Sequence, residues 1–130
     1  MAIKIHAFLC LGLVLSFMSV ASAIPGTATY YTVYVPSACY GYQDEGVMIA
    51  AASDALWENG AACGRMYTVT CTGATNQGVS QPCKPGGVTV KIVDYCPSPG
   101  CQATLDLSQE AFSVIADPAA GKINIDYTLI

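Results

Sequence analysis

The chain has 130 residues, of which 53% are hydrophobic and only 11% charged, and its formal net charge is −4 at pH 7. This acidity argues against a basic surface of the kind that binds nucleic acid or an anionic membrane. The length allows one domain with a small core.

The first 23 residues have the composition of a secretory leader. Lys4 precedes an apolar run from Ala7 to Val20, and the segment Ala21-Ser22-Ala23 supplies the small residues of a cleavage site. The run is too short to favour a membrane-spanning helix. We therefore expect a signal peptide over residues 1–23, a single folded domain over residues 24–130, and secretion without membrane insertion.

Six of the seven cysteines remain after the leader, in a chain of 107 residues that no longer contains a histidine. An even number of cysteines in a small secreted chain indicates three disulfides, for which fifteen pairings are possible. We expect the pairing of sequence neighbours: Cys39–Cys63, Cys71–Cys83 and Cys96–Cys101. The absence of histidine excludes Ser–His and Cys–His nucleophiles, and oxidised cysteines leave no thiolates for zinc. We expect no metal and no cofactor.

The predicted elements begin with a strand over Gly26–Val35, where β-branched and aromatic residues alternate, and Pro36 ends it. A short buried strand follows over Val47–Ala51. Ser53 is then placed to cap a helical turn that runs through Glu58.

The middle of the chain predicts two strands around a long loop. Arg65–Cys71 shows two-residue alternation, and Val88–Val93 is the most hydrophobic strand candidate. Between them, Thr72–Gly87 is rich in Gly, Pro, Asn, Gln and Ser, which is typical of a polar surface loop.

The last third of the chain predicts a strand stub, a helix and a closing strand. The stub is Thr104–Asp106, Ser108 can cap a helix that runs through Ala116, and Ile123–Ile130 alternates again. Short strands, few helices and the lack of repeated βαβ units indicate a mainly β fold. Periodicity alone does not choose between a barrel and a sandwich.

Three segments resemble the first domain of the expansins. They are Ala28-Thr-Tyr-Tyr31, the stretch ALWENGAACG over residues 55–64, and Val93-Asp-Tyr-Cys96 followed by LDLSQEAF over residues 105–112. Over nearly all 107 residues after the leader, the chain resembles the plant natriuretic peptides, which are single-domain expansin-like proteins related to family-45 endoglucanases. The resemblance implies a six-stranded double-psi β-barrel with short helices, stapled by disulfides and carrying an open groove on one face.

The resemblance also implies which residues line the groove. Carried over by position, they are Thr29, Tyr31, Asp94 and Asp106. Each carboxylate has a structural alternative: Asp106 can satisfy the N-terminus of the following helix, and Asp94 can hold a loop. Trp57 is expected to pack in the core.

The chain departs from the family's pattern at three points. The His-Phe-Asp motif stands here as Thr104-Leu105-Asp106, and Thr32 occupies the position of the endoglucanases' general base. We also expect no second, carbohydrate-binding domain, because the chain stops at Ile130 where the barrel closes.

Hydrolysis with inversion needs a protonated carboxyl and a carboxylate base about 6.5–9.5 Å apart. Asp106 can serve as the acid if burial raises its pKa, but Thr32 cannot take a proton from water near neutral pH. Asp94 does not replace the base, because the resemblance puts it on the same side of the groove as Asp106. A lytic transglycosylase needs only one carboxyl, but the plant resemblance argues against that class. We therefore expect a protein that is not an enzyme.

Two functions of different class remain, both in the plant extracellular space, the apoplast. The first is a systemic signal in water and solute homeostasis, acting as a monomer on a cell-surface receptor through the Tyr30–Arg65 half. The second is a wall-loosening module that binds cell-wall polysaccharide without cleaving it. The expected lack of a second domain favours the first.

Overall fold

The computed structural model describes residues 22–75 and 78–130. The expected signal peptide therefore lies outside the described residues, apart from Ser22 and Ala23, which are exposed. Within the described ranges, no helix is long and apolar enough to cross a membrane.

The described residues form six strands and four short helical segments. The strands are β1 (Ile24–Tyr31), β2 (Ile49–Ser53), β3 (Met66–Ala74), β4 (Gly87–Cys96), β5 (Leu105–Ser108) and β6 (Ile123–Leu129). The α-helices are α1 (Asp54–Trp57) and α2 (Gln109–Ile115), and the 3-10 turns are Glu58–Gly60 and Pro118–Ala120.

The six strands close into a barrel in the order β1-β5-β2-β4-β3-β6, with β6 pairing back to β1. The pairs β1/β5 and β2/β4 are parallel, and the other four pairs are antiparallel. Closure leaves no unpaired strand edge. The fold is therefore a barrel and not a sandwich, the alternative that periodicity left open.

Alternate residues of each strand fill the interior. Val69, Val90, Ile92, Leu105 and Leu107 are fully buried there. Helix α2 adds its three buried residues to the same core. As expected, Ser108 caps α2, because its Oγ accepts a hydrogen bond from the backbone N–H of the third helical residue.

Several strand boundaries differ from the prediction, and pairing explains two of the differences. β1 ends at Tyr31 and not at Val35, because its parallel partner β5 ends opposite it, at Ser108, and continues into α2. β3 runs on to Ala74, because β6 pairs with it as far as Ile123. The polar loop after β3 is therefore shorter than predicted.

A bulge in β4 decides which way Asp94 points. Ala50 of β2 pairs with Ile92, but Ala51 pairs with Asp94, so that Val93 is an extra residue in β4. A bulge shifts the alternation of side chains by one residue. Ile92 points into the barrel, and an unbroken alternation would send Asp94 inward as well. The bulge turns Asp94 to the outer face.

The three disulfides are Cys39–Cys63, Cys71–Cys83 and Cys96–Cys101, the pairs expected from the sequence. The first ties the β1–β2 loop to the segment after α1. The second pins the β3–β4 loop, and the third closes a short loop at the end of β4. All three bridges therefore hold connections between elements of the barrel.

Candidate functional site

Polar side chains form a row across four neighbouring strands on the outer face of the barrel. Thr29 of β1 is in register with Asp106 of β5, and Ala51 of β2 is in register with both Asp106 and Asp94 of β4. Neighbouring strands lie about 4.8 Å apart, so the Cα atoms of the two acids are about 10 Å apart. The small side chain of Ala51 lies between them, on the face where the resemblance implies a groove.

Asp106 is half-buried, and its Oδ1 accepts a hydrogen bond of 2.9 Å from Thr29 Oγ1. Burial raises the pKa of Asp106, the Asp94 charge raises it further, and the Thr29 hydrogen bond opposes the change. This carboxyl therefore holds its proton to a higher pH than an exposed aspartate does, and can then donate a hydrogen bond. The alternative role as a helix cap is not its role here, because Ser108 caps α2.

Asp94 holds a loop, which is the structural alternative that the sequence left open. It also lies in the row of groove residues. Its Oδ1 accepts hydrogen bonds of 2.9 Å from the backbone N–H groups of Ala38 and Tyr95. It therefore anchors the β1–β2 loop against β4. Its charge still reaches the groove, because it raises the pKa values of Asp106 and Tyr31.

Tyr31 lies next to Thr29 on the same face of β1, two residues further along. Its hydroxyl is buried and has no hydrogen-bond partner among the described residues. Burial, and then the charges of Asp94 and Asp106, raise the pKa of Tyr31 well above its usual value. The hydroxyl is thus a buried polar group near both carboxyl groups whose hydrogen-bonding capacity is not used by the described residues.

A cavity of about 500 Å³ adjoins the Tyr31 end of the groove. Its walls are the segment 32–37 after β1 and the loop 42–47, and its floor includes Ile49 and Val93. Tyr34 lines it and contacts Tyr31 edge-on, with ring centroids 5.2 Å apart. Because Val93 directly precedes Asp94 and Ile49 lies two residues before Ala51, the cavity lies beside the groove residues.

The cavity brings together carboxylates that the sequence analysis did not single out. Asp44 and Glu45 line it together with Thr32. Glu45 is paired with Lys91, whose hydrogen bond lowers the pKa of Glu45, and Asp44 accepts a hydrogen bond of 2.8 Å from the Gly46 N–H. A carboxylate of lowered pKa is a weak proton acceptor. The acidic pair lies in an irregular loop outside any motif, and only its place between two cysteines could have drawn attention to it.

An aromatic pair lies beyond Asp94, at the end of β4. The rings of Trp57 and Tyr95 are stacked, with centroids 4.7 Å apart and planes 12° from parallel. The Tyr95 hydroxyl donates to Asp54, and Trp57 also packs against the core, as expected. The pair holds the backbone next to Asp94 in place.

A set of metal ligands is not present in the parts of the chain that the structure describes. No group of three or more His, Cys, Asp or Glu side chains there is arranged to hold a metal ion. In the groove, Ala51 separates the two carboxyl groups.

Comparison with known proteins gives a family and two kinds of relative. Residues 49–127 match a family model described as lytic transglycolase. An EG45-like domain containing protein of Citrus jambhiri is 66% identical over 110 residues, which cover 84% of this chain and 83% of that protein. EG45-like domain containing protein 2 of Arabidopsis thaliana is 46% identical over 112 residues, which cover 85% and 84%.

Solved structures of a bacterial expansin are similar in fold. The apo expansin of Clavibacter michiganensis has a TM-score of 0.65 and 30% identity, over 84% of this chain and 50% of that one. A variant of it in complex with cellohexaose has a TM-score of 0.62 and 28% identity. This chain therefore spans half the length of the bacterial expansin.

Proposed function

This chain belongs to the EG45-like domain proteins, which are expansin-like and related to family-45 endoglucanases, and we propose that it binds a cell-wall β-glucan without cleaving it. In this proposal the protein acts as a monomer in the extracellular space. The glucan chain lies in the groove across β1, β5, β2 and β4.

The observation that carries the proposal is the row of complementary hydrogen-bonding groups in that groove. The Asp106 carboxyl, whose raised pKa favours its protonated donor form, and the Thr29 hydroxyl lie in one row with the Asp94 carboxylate, which is an acceptor. A neutral sugar presents hydroxyl groups of both kinds, so it can satisfy all three. The cellohexaose complex of the related expansin supports a linear β-glucan as the ligand class.

We expect no cleavage, because no proton acceptor near the groove is suited to act as a general base. Thr32 cannot serve as a base, the Lys91 hydrogen bond makes Glu45 a weak one, and Asp44 lines the cavity and is not in the row that holds Asp106. A transglycosylation of the kind that the family model names needs only one acidic carboxyl. We propose that the Asp106 carboxyl binds its ligand and transfers no proton, and an assay for new chain ends checks both routes.

We also propose that the barrel is of the double-psi type. The barrel has two parallel strand pairs, β1/β5 and β2/β4, among antiparallel ones. This mixture, together with the likeness to an expansin, supports the double-psi arrangement.

Signalling in water and solute homeostasis through a cell-surface receptor is the second candidate. It is favoured by exposed apolar side chains in the β1–β2 connection, namely Val33, Val35, Tyr42, Val47 and Met48. Clustered apolar side chains of this kind are typical of protein interaction sites. Ion or water flux in protoplasts, which have no wall, tests this role separately from glucan binding.

The test of the first function is calorimetric titration of the protein with cellohexaose. We expect Asp106→Ala to weaken binding about tenfold, the equivalent of one hydrogen bond of about 1.4 kcal/mol. Asp126→Ala is the matched control, because Asp126 is a half-buried aspartate on the outer face of β6, away from the groove. Equal affinities of all three proteins, or release of reducing ends from the glucan, would contradict the proposal.

A further inference from the structure

We propose that the cavity beside Tyr34 receives a neutral sugar branch of the bound glucan, so that the protein selects branched over unbranched chains. This inference rests on the proposed function. It assigns a ligand to the 500 Å³ cavity. Binding of a glucan by the groove residues alone would give this cavity no role.

The position of the cavity favours a branch over the end of the chain. The row from Thr29 to Asp94 runs across the strands, and a glucan following it also runs across them. The cavity is displaced along the strands, because its floor includes Ile49, two residues before Ala51 on β2. That displacement is about 7 Å, at about 3.4 Å per residue. A substituent that projects sideways from the chain reaches this cavity, and the backbone of the chain does not.

The size and the lining of the cavity suit a sugar ring. Sites for small molecules have volumes of about 300–1,000 Å³, and this cavity lies at the lower end of that range. Val33, Val35 and Val47 give it apolar walls, and Thr32 and Gln43 add polar groups. A pyranose has the same mixed character, with apolar C–H faces and a rim of hydroxyl groups.

The charge of the lining selects a neutral branch. Asp44 and Glu45 are the charged groups among the described residues that line the cavity. Lys91 pairs with Glu45, so the carboxylate of Asp44 remains as the uncompensated charge. A uronic acid would bring a second negative charge next to Asp44, and the repulsion disfavours it. Neutral branches such as xylosyl or galactosyl residues meet no such penalty.

The experiment compares two probes with the same backbone, by calorimetric titration. One is cellotetraose, and the other is the same four-glucose chain carrying α-linked xylosyl branches. We expect the branched probe to bind at least tenfold more tightly to the unmodified protein. Val47→Arg, which fills the cavity, is expected to abolish this preference and to leave cellotetraose binding within twofold. Val114→Arg is the matched control, because Val47 is 46% exposed and Val114 44% exposed, on α2.

Binding of both probes with equal affinity overturns the inference and leaves the groove proposal standing, whereas binding of neither probe overturns the proposed function itself. A preference that survives Val47→Arg, or that is lost equally in Val114→Arg, also overturns the inference. If Val47→Arg does not fold, Val33→Arg takes its place, because Val33 lies on the other wall and is 74% exposed.

Discussion

Asp106 and Tyr31 illustrate how burial sets the chemistry of single residues in the groove. A hydrogen bond from Thr29 favours the ionised form of Asp106, but burial and the Asp94 charge outweigh it and raise the pKa. Burial is also the main cause of the raised pKa of Tyr31. Both side chains therefore hold their protons more firmly than exposed groups do. The half-buried Asp106 carboxyl and the Asp94 carboxylate present polar oxygens on one face of the barrel.

The raised pKa of Asp106 predicts how stability depends on pH. The folded-state pKa lies above the ordinary value of 3.8, so this carboxyl stabilises the folded protein most below about pH 4. That contribution is lost as the pH rises through the raised pKa. We expect the free energy of unfolding of the unmodified protein to fall relative to that of Asp106→Asn between pH 4 and pH 7, measured by urea denaturation.

The matched control for this prediction is Asp126→Asn, which also removes one carboxyl from a half-buried position on the barrel's outer face. A difference between the unmodified protein and Asp106→Asn that stays constant over this pH range would show that burial does not perturb the carboxyl.

At the scale of elements, two junctions build the groove. The bulge at Val93 turns Asp94 outward, and the passage from β5 into α2 ends β1 at Tyr31. Ser108 organises the second junction. Its buried Oγ accepts a hydrogen bond of 3.0 Å from the Ala111 N–H and donates to the Val47 carbonyl. One hydroxyl thus joins β5, α2 and the loop that precedes β2.

Ser108→Ala is expected to lower the free energy of unfolding by about 1–3 kcal/mol, because it removes a helix cap and leaves buried backbone groups without partners. Ser113→Ala in the same helix is the control, because its hydroxyl bonds to the Gln109 carbonyl at an exposed position. We expect that change to stay within about 0.5 kcal/mol. Urea denaturation measures both, and losses of equal size would argue against the proposed role of Ser108.

At the scale of the whole molecule, a small barrel is held together by local bridges that also shape the site. The described strands are only 4 to 10 residues long. The Cys39–Cys63 bridge anchors the β1–β2 loop, and the Ala38 N–H of that loop binds Asp94. The Lys91–Glu45 pair fastens the same loop to β4. Stability and the geometry of the groove therefore depend on the same connections.

We expect the loss in free energy of unfolding to depend on which disulfide is removed. The Cys39–Cys63 bridge spans 24 residues and the Cys96–Cys101 bridge spans 5. From the entropy of loop closure, we expect losses of about 3.5 and about 2 kcal/mol when each pair is replaced by serine. Thermal and urea unfolding measure the order. Loss of Cys39–Cys63 is also expected to weaken cellohexaose binding, and an unchanged affinity would separate that loop from the groove.

Much of the local structure could be predicted from the sequence. Alternation and apolar composition located all six strands, and Ser108 was identified as the cap of α2, whereas Ser53, expected to cap the first helix, makes no side-chain capping hydrogen bond. The cysteine pairs agree with neighbour pairing, and the motifs around Thr29, Asp94 and Asp106 indicated the family. These features depend on residues close together in the chain, which is why they can be read from local patterns.

The sequence by itself determined where strands form, which hydroxyl caps α2 and which residue types the groove has available, because these depend on short-range sterics and hydrogen bonds. Only the tertiary structure decided that the strands close into a barrel, that β1 ends at Tyr31 and that Asp94 faces outward. It also decided that Asp44 and Glu45 line a cavity next to the groove. Each of these depends on pairing between segments far apart in the chain, and a register shift of one residue reverses the face of a side chain without changing the local sequence.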